Sequence, residues 1–226
     1  MMGLGSNDLN HIITQIKDVC RINVENDGIA YNPESIKGEK ITEEANYAGT
    51  RISFTGKLNN AEIKMQIDIG FGDKVFPKPQ KLSLPVQLNF KKPIIFCYTR
   101  ESVIAEKLEA IIRFGELNSR MKDFYDIWLL AHQFNFKGEY LLQAIKITFD
   151  NRGTFLPSEI VAFTDKFIKT KNIMWKAFRK KSKIKEVSDN FADVIHYISE
   201  FLQPVVDNIK SESNFNSMWL APGQWK

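Results

Sequence analysis

The chain has 226 residues, of which 43% are hydrophobic and 26% charged, and its formal net charge is +4. That is a globular mix, and 17 Phe and 4 Trp supply ample core material. No run approaches the roughly 20 apolar residues that cross a bilayer, the first residues form no secretory leader, and the mild positive charge permits a polyanionic partner without demanding one.

In chain order, residues 6–22 are predicted as an amphipathic helix capped by Ser6 or Asn7, with Ile12, Ile13, Ile16, Val19 and Cys20 at helical spacing. Residues 26–46 form a polar stretch with one short apolar piece, Ile29-Ala30-Tyr31. Residues 51–58 and 61–69 then alternate, with Ile52, Phe54, Gly56 and Leu58 on one strand and Ile63, Met65, Ile67 and Ile69 on the next. Asn59-Asn60 between them suits a tight hairpin turn, since Asn tolerates positive φ. An extended segment broken by Pro85 and Pro93 follows, up to Tyr98.

The remainder is expected to be helical, over residues 100–114 (capped near Thr99, stopped by Gly115), 119–133, 140–149, 157–168, 173–180 and 187–209. Asn151-Arg152-Gly153-Thr154 is expected as a loop, and residues 211–226 as a loose tail that Trp219 and Trp225 could pin. Strands first and helices afterwards indicate an α+β fold.

Cys20 and Cys97 lie far apart without metal-ligand spacing, and their expected state is two reduced thiols. His11, His132 and His196 form no triad or ligand set, and Gly3-Leu4-Gly5-Ser6 lacks the lysine of a phosphate loop.

Three places could carry chemistry. Alternation puts Asp68 on the face opposite Ile67 and Ile69, at a strand end just before Gly70-Phe71-Gly72-Asp73. It could reach a metal or phosphate, or be a solvated carboxylate on a polar face. Lys107 falls inside the apolar stripe of Val103, Ile104, Leu108, Ile111 and Ile112, so it must snorkel, pair with a buried acid or enter a cleft. Glu106, Glu109 and Arg113 are expected on a solvated face. The helix around Met121, Phe124, Tyr125, Ile127, Trp128, Leu129 and Leu130 is apolar nearly all round, yet carries Asp123 and Asp126 at i and i+3. A buried carboxylate needs a partner, and Lys107 is the natural one. Such a cluster could be structural, hold a phosphate, or take a proton from a hydroxyl. Nine basic residues from Lys166 to Lys185, among them Lys176, Arg179, Lys180 and Lys181, interleave with Trp175 and Phe178. They form either an RNA-tracking surface or an ordinary solvated face.

Several segments together resemble the AbiEii/AbiGii nucleotidyltransferase-like toxin family. These are Tyr47-Ala48-Gly49-Thr50-Arg51-Ile52-Ser53-Phe54, Gln66-Ile67-Asp68-Ile69-Gly70-Phe71-Gly72-Asp73, Ala105-Glu106-Lys107-Leu108-Glu109-Ala110, Arg120-Met121-Lys122-Asp123-Phe124-Tyr125-Asp126, and Thr148-Phe149-Asp150-Asn151-Arg152-Gly153-Thr154. The resemblance spans roughly residues 7–155, with Lys122-Asp123-Phe124-Tyr125-Asp126 as its most specific element.

It implies the remnant of a nucleotidyltransferase mixed sheet (residues 1–98), a helical part of the same core (99–155) and a helical C-terminal region with a tail (156–226). It also implies a cytoplasmic toxin of a toxin–antitoxin or phage-defence pair, which transfers a nucleotide from an NTP to an RNA acceptor such as tRNA. Asp68 would be the third metal carboxylate, for Mg²⁺. Lys107, with Arg120 and Lys122, would meet the nucleotide phosphates. Asp123 or Asp126 would orient Lys107 or act on the acceptor hydroxyl. Lys176, Arg179, Lys180 and Lys181 would meet nucleic acid.

One departure stands out. The Gly-Ser and Asp-x-Asp segment of that fold has no counterpart near residues 15–20, where the sequence is Gln15-Ile16-Lys17-Asp18-Val19-Cys20. Mg²⁺ binding is therefore expected to be weak or absent, and the chain by itself inactive. Exposed strand edges would invite a homodimer, and an antitoxin is the expected protein partner. The alternative expectation is a catalytically dead RNA- or protein-binding remnant.

Overall fold

The computed structural model describes residues 1–3, 5–43 and 47–226. By its contacts the chain divides into two compact units, Met1–Asp73 and Lys74–Lys226.

The first unit is a four-stranded mixed sheet with one helix. Its strands are β1 (Met2–Gly3), β2 (Ile29–Glu43), β3 (Tyr47–Leu58) and β4 (Ala61–Phe71), in the order β1-β4-β3-β2. The β3–β4 hairpin is the one predicted. Leu58 pairs with Ala61, and Asn59 takes φ 52° in the turn. Helix α1 (Leu9–Arg21) packs on β2, and Ile12, Ile36, Ile52, Phe54 and Ile69 close a small core. Asp8 rather than Ser6 or Asn7 caps α1, its carboxylate accepting from His11 N at 2.8 Å.

The expected polar stretch over 26–46 is instead mostly the long strand β2; its end at 44–46 lies outside the described residues. Local propensity there is poor, and Pro33 sits in a register shift between Asn32 and Lys37. The strand forms because β3 supplies a partner and Ile36 finds the core.

The second unit is mainly helical. It begins with a two-stranded antiparallel ribbon, β5 (Gln80–Ser83) and β6 (Ile94–Cys97). Helices α2 (Arg100–Phe114), α3 (Met121–Gln133), α4 (Gly138–Arg152), α5 (Asp165–Ser182) and α6 (Phe191–Lys210) share one core. Thr99 starts α2 and Gly115 ends it, as predicted. Helix α4 runs through Asn151 and Arg152, which were expected in a loop, and stops at Gly153 in the left-handed region (φ 62°).

The helices expected over 157–168 and 173–180 are a single helix, α5. It starts late, where the Thr164 hydroxyl accepts from Phe167 N at 3.3 Å, and nothing between Ile168 and Ile173 breaks it.

The C-terminal segment is ordered, not loose. Strand β7 (Phe136–Lys137) pairs with β8 (Met218–Leu220), which pairs with β9 (Gln224–Trp225). Trp219 is buried and donates its indole N–H to Ala131 O at 2.7 Å. Gly138 lets this segment pass, since a Cβ there would stand 2.8 Å from Ser217 O and 2.4 Å from the Phe215 ring. No helix among the described residues is long and apolar enough to cross a membrane.

Candidate functional site

Helix α2 turns Ile104, Leu108 and Ile111 into the core, and the same face carries Lys107 toward α3. Its ammonium meets two carboxylates there, Asp123 Oδ1 at 2.8 Å and Asp126 Oδ2 at 2.7 Å. Those two aspartates sit one helical turn apart, which is why both reach one cation. The cluster is poorly accessible, with side-chain exposures of 18% for Lys107, 8% for Asp123 and 17% for Asp126. Two further cations stand at its rim. Lys122 Nζ approaches Asp126 Oδ2 at 2.5 Å, and Arg120 Nε lies 3.1 Å from Asp123 Oδ2.

The Arg120 contact is a charge pairing without hydrogen-bond alignment, because Asp123 Oδ2 is buried and makes no hydrogen bond. Angle decides hydrogen bonding more sharply than distance does at this range, so we read that oxygen as an acceptor with spare capacity. Burial alone would lower the pKa of the Lys107 ammonium, but the hydrogen bonds to Asp123 and Asp126 outweigh it and hold the group above the usual lysine range. Lys107 is therefore a fixed positive charge at neutral pH. Beside the cluster, Tyr125 donates to Glu186 at 2.6 Å. Desolvation first, and then that hydrogen bond, push the phenol up to about 12.

A second ionic cluster begins two residues further along α2. Glu109 is fully buried, not solvated as its place in the sequence suggested. Arg113 Nε at 3.1 Å, Arg152 Nη1 at 2.7 Å and the Thr154 hydroxyl at 2.7 Å all donate to it. Glu109 thus ties α2 to the end of α4, and Glu106 stands 3.9 Å from Arg152 Nη2.

A family model, that of the nucleotidyl transferase AbiEii toxin of type IV toxin–antitoxin systems, matches residues 3–197. The chain belongs to the AbiEii family. The match covers both units and all of the segments on which the resemblance rested. The family places the chain among nucleotidyltransferase toxins of type IV systems and implies an antitoxin partner. Comparison with curated proteins found no match.

Within this AbiEii chain, Lys107, Asp123, Asp126, Arg120 and Lys122 come together in one cluster of the second unit. Asp68 belongs to the first unit, on the exposed side of β4 opposite Ile67 and Ile69. Arg51, its cross-strand neighbour, grips it bidentately, with Nε to Oδ1 at 2.8 Å and Nη2 to Oδ2 at 3.0 Å. Gln66 Nε2 lies 3.1 Å from both oxygens. Chiefly through the Arg51 hydrogen bond, the Asp68 carboxyl is held below its ordinary range.

Magnesium demands several oxygen ligands at once. Among the described residues no three His, Cys, Asp or Glu side chains converge, and both Asp68 oxygens are engaged. As they stand, these side chains do not fit a resident Mg²⁺.

Of the basic segment, Lys176, Lys180 and Lys181 are exposed on α5, whereas Arg179 is half-buried. The interleaved rings do not line a surface for bases. Trp175 is fully buried and donates to Ser188 O at 3.0 Å, and Phe178 packs between Trp175 and Tyr125. Sequence reasoning missed Glu109 and Thr154. The available signal was an acid, Glu109, one position past the apolar Leu108 of the stripe, with Arg152 and Thr154 flanking a helix-ending glycine.

Proposed function

We propose that this chain recognises an NTP in the AbiEii nucleotidyltransferase reaction, that the acceptor is an RNA such as tRNA, and that residues 1–226 alone transfer no nucleotide. One observation carries the reading: a permanently charged Lys107 between two aspartates, with Arg120 and Lys122 at the rim and one carboxylate oxygen short of a hydrogen bond. Three cations against two carboxylates leave the cluster attractive to a phosphate.

On binding, Lys107 exchanges one carboxylate contact for a phosphate oxygen, and Arg120 and Lys122 swing to the same anion. In the family reaction, which residues 1–226 do not complete by themselves, the acceptor hydroxyl would attack the α-phosphorus, forming an oxygen–phosphorus bond as the bond to the β-phosphate breaks and pyrophosphate leaves. Asp126, the more exposed of the two aspartates, takes the hydroxyl proton, and Asp123 keeps Lys107 aimed. No step is assigned to Asp68 or Mg²⁺, because the described donors do not fit the ion. This misfit supports an inactive chain, and comparing NTP binding with and without EDTA reports whether magnesium enters with the triphosphate.

Equilibrium dialysis with the four labelled NTPs, with and without EDTA, tests recognition. Absence of binding, or binding unchanged in Lys107→Met, overturns it. Incubation with labelled NTP, Mg²⁺ and bulk tRNA tests inactivity, and label in the RNA overturns that part alone.

A second reading has one observation in its favour. Lys107 is already matched by two carboxylates, and Lys176, Lys180 and Lys181 are exposed on α5. On that reading the chain is a binding remnant for RNA. Salt-dependent RNA binding, lost in the Lys176/Lys180/Lys181→Ala variant but indifferent to Lys107→Met, would favour it.

A further inference from the structure

The β5–β6 ribbon and its connecting loop carry six large exposed apolar side chains: Leu82, Leu88, Phe90, Ile94, Ile95 and Phe96. Leu88 and Phe96 are each 68% exposed and Ile94 is 65% exposed, values typical of an apolar residue that nothing covers. The register puts Ser83 opposite Ile94 and Lys81 opposite Phe96 on one face, and Leu82 opposite Ile95 on the other. Both faces of the ribbon are therefore apolar, although no third strand pairs with it among the described residues. A bare two-stranded ribbon is marginal in water, and contiguous apolar surface beyond roughly a few hundred Å² marks an interaction site.

Charge narrows the partner. Residues 74–98 contain five lysines, Lys74, Lys78, Lys81, Lys91 and Lys92, and no Asp or Glu. All five are exposed, and Lys81 Nζ lies over the Phe96 ring at 5.3 Å, so even the ring face presents a cation. A second copy docking ribbon to ribbon would bring these like charges together. RNA would meet the lysines but leave four aliphatic side chains with nothing to stack on.

We infer that the β5–β6 ribbon is a docking element for an acidic protein, whose apolar groove closes on Ile94 and Phe96 while its carboxylates meet the surrounding lysines. Pro85 and Pro93 flank the ribbon, and the link beyond β5 is Leu84 N to Pro93 O at 2.9 Å. Proline at that margin stops the two-stranded ladder from lengthening, and the apolar side chains that the partner meets stand on the faces of the ribbon.

The test places a photo-crosslinking phenylalanine analogue at Phe96 in the full chain, expressed in its host. The crosslinked protein is then identified, purified and titrated against the unlabelled chain. The expected result is a single acidic protein. Its affinity should fall about tenfold or more in Ile94→Ser/Phe96→Ser, fall similarly in Lys91→Glu/Lys92→Glu, and weaken with salt. Unchanged thermal melting of these surface variants separates lost docking from lost folding. Crosslinks only to the chain itself with concentration-dependent dimers, crosslinks only to RNA, no crosslinks, or a partner that binds both variants normally would each overturn the inference.

Discussion

Lys107 and Glu109 stand two residues apart on α2, and each brings a charge into the second unit, but they do so differently. Glu109 is fully buried and three donors satisfy it, Arg113 on the same helix and Arg152 and Thr154 at the end of α4. Lys107 keeps an edge toward solvent, shares its carboxylates with Arg120 and Lys122, and faces an oxygen without a hydrogen bond. A saturated buried charge can only hold a structure together, since removing one partner strands the others. A partly open cluster with surplus cations can trade a partner for a ligand. Arg152 Nε in the Glu109 network also lacks a hydrogen bond, so neither burial nor one unbonded atom separates architecture from chemistry; the open rim and the surplus of cations around Lys107 do.

The contrast can be broken most forcefully at Glu109. Glu109→Ala should cost about 3–5 kcal/mol, because Arg152 loses its closest carboxylate in a dry setting. Urea unfolding measures this, and a loss under about 1 kcal/mol would show that the network is not structural.

Lys107→Met should cost less stability, because Arg120 and Lys122 remain to balance Asp123 and Asp126. It should nevertheless weaken NTP binding by about 10- to 100-fold, the worth of one charged hydrogen bond. If the two variants instead destabilise equally and Lys107→Met leaves NTP binding untouched, both clusters are structural.

The direction of the Lys107 shift sharpens the same point. Its folded pKa is raised, so its stabilising contribution is full below the unfolded value near ~10.4 and is lost only as pH rises through the higher folded value. The stability gap between wild type and Lys107→Met should thus stay flat from about pH 6 to 9. A gap that closes within that window would mean that Lys107 is not held by its aspartates.

The smallest effect belongs to Asp68, whose side chain is 48% exposed. Asp68→Asn should cost no more than about 1 kcal/mol, as for other solvated ion pairs. Its folded pKa is lowered, so the contribution is full above the unfolded value near ~3.9 and fades as pH falls through the lower folded value. Denaturation of both proteins between about pH 3 and 7 checks this, and a gap that widens on acidification would contradict the Arg51 clamp.

Much is legible in the sequence alone. The α+β class, the β3–β4 hairpin with its Asn turn, the bounds of α2 and the pairing of Lys107 with Asp123 all follow from local rules: period-2 alternation, capping, and the cost of an unpaired charge on an apolar face. The family, too, is readable from short segments, all of which lie within the matched residues 3–197. Strand β2, the burial of Glu109, the core role of Trp175 and the anchored C-terminal strands were not legible. Each depends on a partner far away in sequence: β3 for β2, Arg152 and Thr154 for Glu109, Ser188 for Trp175, and Ala131 for Trp219. Residue spacing records what a single element wants, whereas burial of a polar group is decided by whether another element arrives to satisfy it.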